Sequence, residues 1–257
     1  MIIDIHTHVW ADQTDADVDA FVRAMDERSI DISAVLAIAP YVSNEGLAKQ
    51  IKRYPDRLVG FASVAPFGQT TGIPREDPLT TLERAVQDLG MRGLKLHPTM
   101  QGFALDDPGL VPIMRKAAEL GIPVLFHTGP THGRAGRIKN AMIEHIDDLA
   151  IMCPDTVIIA GHGEIFENGP YIAAKHPNVY LDTAITWSRV CPIFPGLGES
   201  AIDVAGPDKI LFATDANPRR LERFDSTLNA LGSLDITEET RSKIMGANAA
   251  RILGLAV

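Results

Sequence analysis

The sequence predicts a single-domain α/β fold, a (β/α)8 TIM barrel over residues 1–257. Three observations predict it: short apolar runs alternate with longer stretches of helical period, there are eight such runs, and the chain has the length of one α/β barrel. The rival fold is a doubly wound open sheet, but no Gly-rich phosphate-binding motif follows the first run. In either fold, ligands bind beyond the carboxyl ends of the strands.

The predicted strands are nearly continuous apolar runs, as expected for parallel strands covered on both faces. In chain order they are residues 2–6, 33–39, 58–64, 92–97, 123–128, 156–162, 178–183 and 209–215. Between and after them, amphipathic patterns predict helices over 15–29, 77–90, 107–121 and 236–255. Two of these helices begin with Asp-Pro and end with Gly, which are start and stop signals.

Composition narrows the classes of function. The net charge of −9 disfavours a nucleic-acid surface, and no apolar run is long enough to cross a membrane. No signal peptide is recognisable, and Cys153 and Cys191 are too few for a disulfide framework, so we expect small apolar roles for both in the reducing cytoplasm. The expected partner is a small-molecule substrate, and a homodimer is possible for a barrel of this kind.

Histidines and one aspartate collect where the predicted strands end, at His6, His8, His97, His127, His162 and Asp215. Side chains alternate along a strand, so His6 and His8 are expected to project from the same face and bind one ion. A lone His-x-His pair is weak evidence, because histidine is also common in cores. With later strand ends contributing, the set favours a divalent metal such as Zn²⁺, with Mn²⁺ or Fe²⁺ as alternatives.

The motifs in barrel order resemble the amidohydrolase superfamily. These are "DIHTH" at the start, His127 ending the fifth run, "AGHGE" after the sixth and "FATDAN" at the eighth. "GLKLHPTMQGFALDDP" and "NAARILGL" resemble, more narrowly, the amidohydrolase-related branch of aminocarboxymuconate-semialdehyde decarboxylases. The resemblance implies that His6, His8, His127 and Asp215 hold a catalytic divalent metal. It also implies that His162 stands beside the metal and either acts as a general acid or base or polarises the substrate.

Two reactions remain open. The main expectation is a metal-dependent hydrolase of a small ester, lactone or amide, in which a metal-activated water attacks and Asp215 takes its proton. The alternative is a non-oxidative decarboxylase of an unsaturated or aromatic acid. A non-enzymatic metal scaffold is disfavoured, because structural zinc sites usually contain cysteines.

Six side chains are candidate substrate contacts: Lys95, His97, Arg134, Arg137, Trp10 and Trp187. Arginines suit a substrate carboxylate, and tryptophans suit the walls of a pocket for a flat molecule, although each type is also common in solvent or under loops. Lys95 has a further alternative, a carbamylated lysine that bridges two metals, but we favour the unmodified side chain. The Pro- and Gly-rich segments 65–78 and 185–198 are expected to form lids that set specificity.

Overall fold

The computed structural model describes residues 1–68, 76–131, 136–166 and 168–255. Eight parallel strands pair in chain order, each with the next. They are β1 (Ile3–Thr7), β2 (Ile32–Leu36), β3 (Leu58–Ala62), β4 (Gly93–Leu96), β5 (Val124–His127), β6 (Ile158–Gly161), β7 (Val179–Asp182) and β8 (Ile210–Leu211). The predicted barrel and all eight strands are confirmed.

The two ends of the sheet meet between β1 and the segment that continues β8. The backbone N–H of Ile5 donates to the carbonyl of Phe212 at 3.0 Å, and the N–H of Asp215 donates to the carbonyl of His6 at 2.8 Å. Beyond them, Thr7 pairs with Ala216 in parallel. This seam closes the barrel and brings the chemistry of the first strand beside that of the last.

Helices lie between the strands and after β8. Within the described residues they are α1 (Asp15–Asp26), α2 (Asn44–Ile51), α3 (Pro78–Gln87), α4 (Pro98–Gln101), α5 (Val111–Glu119), α6 (His145–Met152), α7 (Asn168–Lys175), α8 (Thr186–Val190), α9 (Leu197–Ala205), α10 (Glu222–Gly232), α11 (Glu238–Ser242) and α12 (Asn248–Leu253). Thr14 caps α1 with a capping box, and Asp77 caps α3. None of these helices is long and apolar enough to cross a membrane.

Several predicted bounds were wrong by a few residues, and three elements also differ in form. The predicted strand over 209–215 keeps ladder geometry only at Ile210–Leu211, because its continuation turns to place Asp215 with φ of +56°. The predicted helix over 107–121 begins as a 3-10 turn at Pro108–Leu110. The predicted tail helix divides into α11 and α12, with a π-helical turn at Lys243–Ala247 between them.

The core has two parts. The larger part packs one face of the strands against the surrounding helices. The smaller part brings together inward-facing strand residues such as Ile5, Phe61 and Leu125 with Ala249 and Leu253 of α12. The strand order and these apolar contacts form the rigid scaffold on which the rim residues lie.

A register shift in β1 coincides with a break in the alternation of its side chains. The β1–β2 register shifts between Asp4 and Thr7. Ile5 packs in the inner core, whereas the next residue, His6, lines a cavity together with His8. Strict alternation would send neighbouring residues to opposite faces, so the irregular register agrees with the inward position of both Ile5 and His6.

Candidate metal centre and active site

Three of the four predicted ligands converge on one point. One donor atom from each of His6, His8 and Asp215 lies within 4.8 Å of the other two. Asp215 Oδ1 is 3.3 Å from Nε2 of His8 and 3.7 Å from Nε2 of His6. Two imidazoles and one carboxylate at this spacing form a donor group suited to a divalent transition metal.

The second ring nitrogen of each imidazole is already engaged. Nδ1 of His6 lies 2.7 Å from Oδ2 of Asp182, and Nδ1 of His8 lies 3.0 Å from the carbonyl of Leu36. Because both partners accept hydrogen bonds, Nδ1 carries the proton in each ring and Nε2 keeps its lone pair. Both lone pairs are thus available at the point of convergence, an arrangement typical of metal-binding histidines.

Asp182 contacts two of the candidate site residues, His6 and His162, but the sequence patterns did not single it out. It ends β7, is fully buried, and its Oδ1 accepts from the backbone N–H groups of His162 and Ala184 at 2.7 and 3.0 Å. Burial raises the pKa of Asp182, and the nearby His162 opposes that rise. The available signal was its position, because Asp182 ends a strand at the same rim as the predicted ligands.

His162 and Asp215 both have left-handed backbones, with φ of +63° and +56°. Nδ1 of His162 lies 3.3 Å from the carbonyl of Ala184, so its Nε2 is the acceptor. Burial lowers the pKa of His162 and keeps the ring neutral at pH 7. Burial raises the pKa of Asp215, but the nearby imidazoles of His8, His162 and His6 favour its ionised form and more than offset this effect, so the pKa of Asp215 lies below its usual range.

His127, the fourth predicted ligand, lies outside the three-donor group. Its ring stacks on His97 with centroids 3.9 Å apart and lies 4.7 Å from the ring of His162. Its Nε2 is buried and has no hydrogen-bond partner within the described part of the chain. A buried nitrogen with a free lone pair is costly unless something binds it, so this orphaned atom fits a metal ligand.

Lys95 and His97 extend the site along β4. Lys95 is 1% exposed, and its Nζ lies 3.3 Å from Nε2 of His6. Burial lowers the pKa of Lys95 to about 8, although the carboxylates of Asp182 and Asp215 oppose the shift. Nδ1 of His97 accepts from the hydroxyl of Thr99 at 3.1 Å.

Two cavities meet at these residues. The small cavity, about 380 Å³, is lined by His6, His8, Lys95 and His97, and by Arg219 and Arg220. The large cavity, about 780 Å³, has an apolar side that includes Met142, Phe166 and Val190, and it also contains Arg189. Five residues line both cavities: His127, Thr131, His162, Asp215 and Arg223.

Some of the candidate substrate contacts line a cavity in the structure, and others do not. Trp10 lines the small cavity and stacks on His8 at 5.2 Å, whereas Trp187 lines neither cavity because it is fully buried in the core. The expectation that Trp187 walls the pocket is therefore corrected. Arg137 is exposed and lines neither cavity, and Arg134 lies outside the described residues.

One of the two predicted lid segments lies partly outside the described residues. Residues 69–75 of the first segment are not among the described residues. The second segment contributes Ile185, Thr186, Arg189 and Val190 to the large cavity. Its position beside the site agrees with a role in shaping substrate access.

A profile of the amidohydrolase family matches residues 3–255. The chain belongs to the amidohydrolase family. The match covers both ends of the barrel and therefore all of the converging side chains. The resemblance seen in the motifs is confirmed, and the protein is an enzyme of this metal-dependent superfamily.

Two curated relatives of this amidohydrolase are enzymes that act on small acids. The first is the 2-keto-4-carboxy-3-hexenedioate hydratase of Sphingobium sp. (strain NBRC 103272 / SYK-6). It is 23% identical over an alignment of 281 residues, which includes 90% of this chain and 80% of the hydratase. The second is the 2-amino-3-carboxymuconate-6-semialdehyde decarboxylase of Dictyostelium discoideum. It is 32% identical over 92 residues, which cover 36% of this chain and 24% of the decarboxylase.

Solved structures share the fold of this amidohydrolase along its whole length. An uncharacterised TIM-barrel protein of Bordetella bronchiseptica has a TM-score of 0.74 at 23% identity, with 98% of each chain covered. A dihydroxybenzoic acid decarboxylase of Polaromonas sp., with bound manganese and the inhibitor 2-nitroresorcinol, has 0.69 at 20%, covering 98% of this chain and 96% of that one. A probable 2-pyrone-4,6-dicarboxylic acid hydrolase of Acinetobacter baumannii, with citric acid bound, has 0.69 at 17%, with 99% of each covered.

Both expected reactions agree with these comparisons, since hydrolytic and decarboxylating enzymes occur among the relatives and neighbours. A divalent metal is the cofactor of this superfamily, in agreement with the donor group of His6, His8 and Asp215. The relatives and neighbours whose activities are named act on small molecules.

Proposed function

We propose that this protein hydrolyses a small ester, lactone or amide that carries a carboxylate. The wall shared by the two cavities is the observation that carries the proposal. His162 and Asp215 stand on that wall, so a molecule in the large cavity presents one bond to both of them and to the donor group. Arg223 and Arg189 add positive charge to the large cavity, although the whole chain is acidic.

We propose His6, His8, His127 and Asp215 as the ligands and Zn²⁺ as the ion, with Mn²⁺ as the alternative. Histidine nitrogens with one carboxylate suit either metal, and the orphaned Nε2 of His127 supports its inclusion. When bound, such an ion supplies a Lewis acid that polarises a carbonyl oxygen and lowers the pKa of water.

The protein's own groups handle the proton. Asp215 accepts it as water attacks the carbonyl carbon, because its carboxylate is held ionised by its neighbours. Nε2 of His162 then accepts this proton and delivers it to the leaving oxygen or nitrogen, while Nδ1 stays on the carbonyl of Ala184. The bond to the leaving group breaks, and one molecule of water is consumed.

Substrate orientation comes from the surrounding side chains. Lys95 and His97 line the small cavity, where we propose that they contact the substrate's polar end. Trp10 packs against His8 in the same cavity and restricts the space to a flat or slender molecule.

Decarboxylation of an unsaturated or aromatic acid is the second candidate. The arginines on the large cavity favour it, because a guanidinium can hold a carboxylate in a fixed orientation. Two of the proteins compared above are decarboxylases. In that reaction a site acid protonates the carbon that bears the carboxylate, the carbon–carbon bond breaks, and carbon dioxide leaves.

One set of assays separates the two. Zinc- and manganese-loaded protein is incubated with panels of lactones, esters, amides, hydroxybenzoic acids and muconic acids. We expect hydrolytic products from a carboxylate-bearing lactone, ester or amide. Carbon dioxide release without any hydrolytic turnover would reject the hydrolase and support the decarboxylase.

Three broader proposals follow. Cys153 and Cys191 are free and buried, which supports a reducing compartment such as the cytoplasm. We propose that residues 1–257 act as one domain and that the protein forms a homodimer. The exposed side chains of Phe166, Ile193 and Phe194 support the homodimer, because apolar side chains are common at interfaces. Sedimentation equilibrium measures the assembly state.

A further inference from the structure

The carboxylate of Asp215 has different partners on its two oxygens. Oδ1 faces Nε2 of His8 and of His6. Oδ2 accepts a hydrogen bond from Nη1 of Arg223 at 2.5 Å, and the same nitrogen donates to the backbone carbonyl of Asp215. A single guanidinium nitrogen therefore binds both the side chain and the backbone of the aspartate.

The backbone of Asp215 needs this support. Asp215 has φ of +56°, a conformation that is strained for a non-glycine residue and persists only where the surroundings hold it. The N–H of Asp215 is held by the carbonyl of His6 across the barrel seam. Its own carbonyl is held by Arg223, so the residue is fixed on both sides.

Arg223 is itself carried on a rigid element. It lies in the first turn of α10, and the next residue, Phe224, is fully buried against Phe21 of α1, with ring centroids 5.3 Å apart. The other arginines of the small cavity are bound elsewhere. Arg219 pairs with Asp12, and Arg220 lies 3.6 Å from Glu222.

We propose that Arg223 is a positioning residue that occupies Oδ2 of Asp215 and thereby reserves Oδ1 for the divalent ion. The carboxylate then binds through one oxygen in a fixed direction, toward the Nε2 atoms of His6 and His8. The inference rests on the metal site of the proposed function and is independent of the reaction.

The direction in which metal affinity changes when Arg223 is replaced distinguishes a positioning role from a purely electrostatic one. A guanidinium close to a cation site repels the cation, so its removal alone strengthens metal binding. Loss of positioning frees the carboxylate to rotate, which weakens metal binding. The variant R223Q removes both the charge and the fixed hydrogen bonds, and the direction of its change in affinity shows which role dominates.

The experiment measures Zn²⁺ affinity by competition with a chromophoric chelator in the absence of substrate. For R223Q we expect binding about 10- to 100-fold weaker, the range for groups that orient metal ligands. R223K keeps the charge but lacks the planar guanidinium, so its affinity should fall between those of R223Q and the wild type. The matched control R220Q loses the same charge from the same cavity and should not bind Zn²⁺ more weakly than the wild type.

A second readout follows the geometry of the site. Co²⁺ replaces Zn²⁺, and its visible absorption becomes weaker as its coordination number rises. We expect R223Q to lose intensity as the freed carboxylate adds its second oxygen, and R220Q to keep the wild-type spectrum. Thermal melts of the metal-free variants verify that each is folded.

The possible results distinguish failure of the positioning role from failure of the proposed metal site. If R223Q binds Zn²⁺ as tightly as the wild type or more tightly, the positioning role is wrong. If R223Q does not fold, R223K decides, and an affinity equal to or above that of the wild type refutes the role. If the wild type itself binds no divalent ion, the proposed metal site has failed instead.

Discussion

Replacement of Asp182 by Asn should weaken metal binding without changing any metal ligand. In the wild type, Oδ2 of Asp182 lies 2.7 Å from Nδ1 of His6, and Oδ1 accepts from the N–H of His162 and of Ala184. Asn has nearly the same shape but only one oxygen. If that oxygen keeps the two backbone donors, the amide NH₂ faces Nδ1 of His6.

The amide NH₂ of the introduced asparagine changes which nitrogen of the His6 ring carries the proton, unless the amide flips. To accept from the amide, Nδ1 must give up its proton, and Nε2 then carries a proton where the ion binds. If the amide flips instead, its NH₂ opposes the N–H of His162 and Ala184 in a fully buried position. Either arrangement lowers the affinity about 10- to 100-fold, which is about 1.4–2.7 kcal/mol.

The assay is the Zn²⁺ competition titration at fixed pH, with Asp147→Asn as the matched control. Asp147 also pairs with a histidine, His176, but lies on α6 outside both cavities. The control should keep the wild-type affinity. An affinity of Asp182→Asn within about twofold of the wild type would show that Asp182 does not orient His6, and the reasoning would be refuted.

Three further predictions concern catalysis, metal removal and pH. His162→Asn should keep Zn²⁺ affinity within about twofold but reduce turnover by about 100-fold or more, measured on any hydrolysed substrate; loss of the ion would make His162 a ligand instead. Metal at about 100 times its Kd should stabilise the protein by about 2.7 kcal/mol, and an unchanged Tm after chelation would contradict a native-state site. The hydrogen bond from Lys175, and next that from His176, lower the pKa of Asp147, so this stabilisation is present above the unfolded pKa of about 3.9 and is lost as pH falls below it. Chemical denaturation of Asp147→Asn should therefore show a deficit of about 0.5–1 kcal/mol at neutral pH, and a deficit that persists undiminished in acid would refute the assignment.

The barrel was predictable because each strand is buried on both faces and reads as an apolar run of its own. The ligand positions followed from a geometric rule, since the carboxyl ends of parallel strands gather at one rim. His6, His8 and Asp215 are brought together as that rule expects. The rule applied equally to Asp182, whose position at the end of a strand was available from the sequence.

Other features depend on tertiary contacts that no local pattern encodes. The register shift in β1, next to His6, is visible only in the pairing of β1 with β2. A tryptophan in a sequence looks the same whether it lines a pocket or fills a core. The packing of α8 places Trp187 in the core. Arg223 lies beyond the last strand, within a helix, so its contact with Asp215 required the fold itself.

The closure between β1 and the end of β8 has a consequence during synthesis. His6 and His8 leave the ribosome about 200 residues before Asp215, which completes the three-donor group. An unfinished chain can therefore offer the ion only part of the group, and the cation stabilises a nascent fragment little. Metal-dependent protection against proteolysis should then arise only after the carboxyl-terminal portion has folded back onto the first strand.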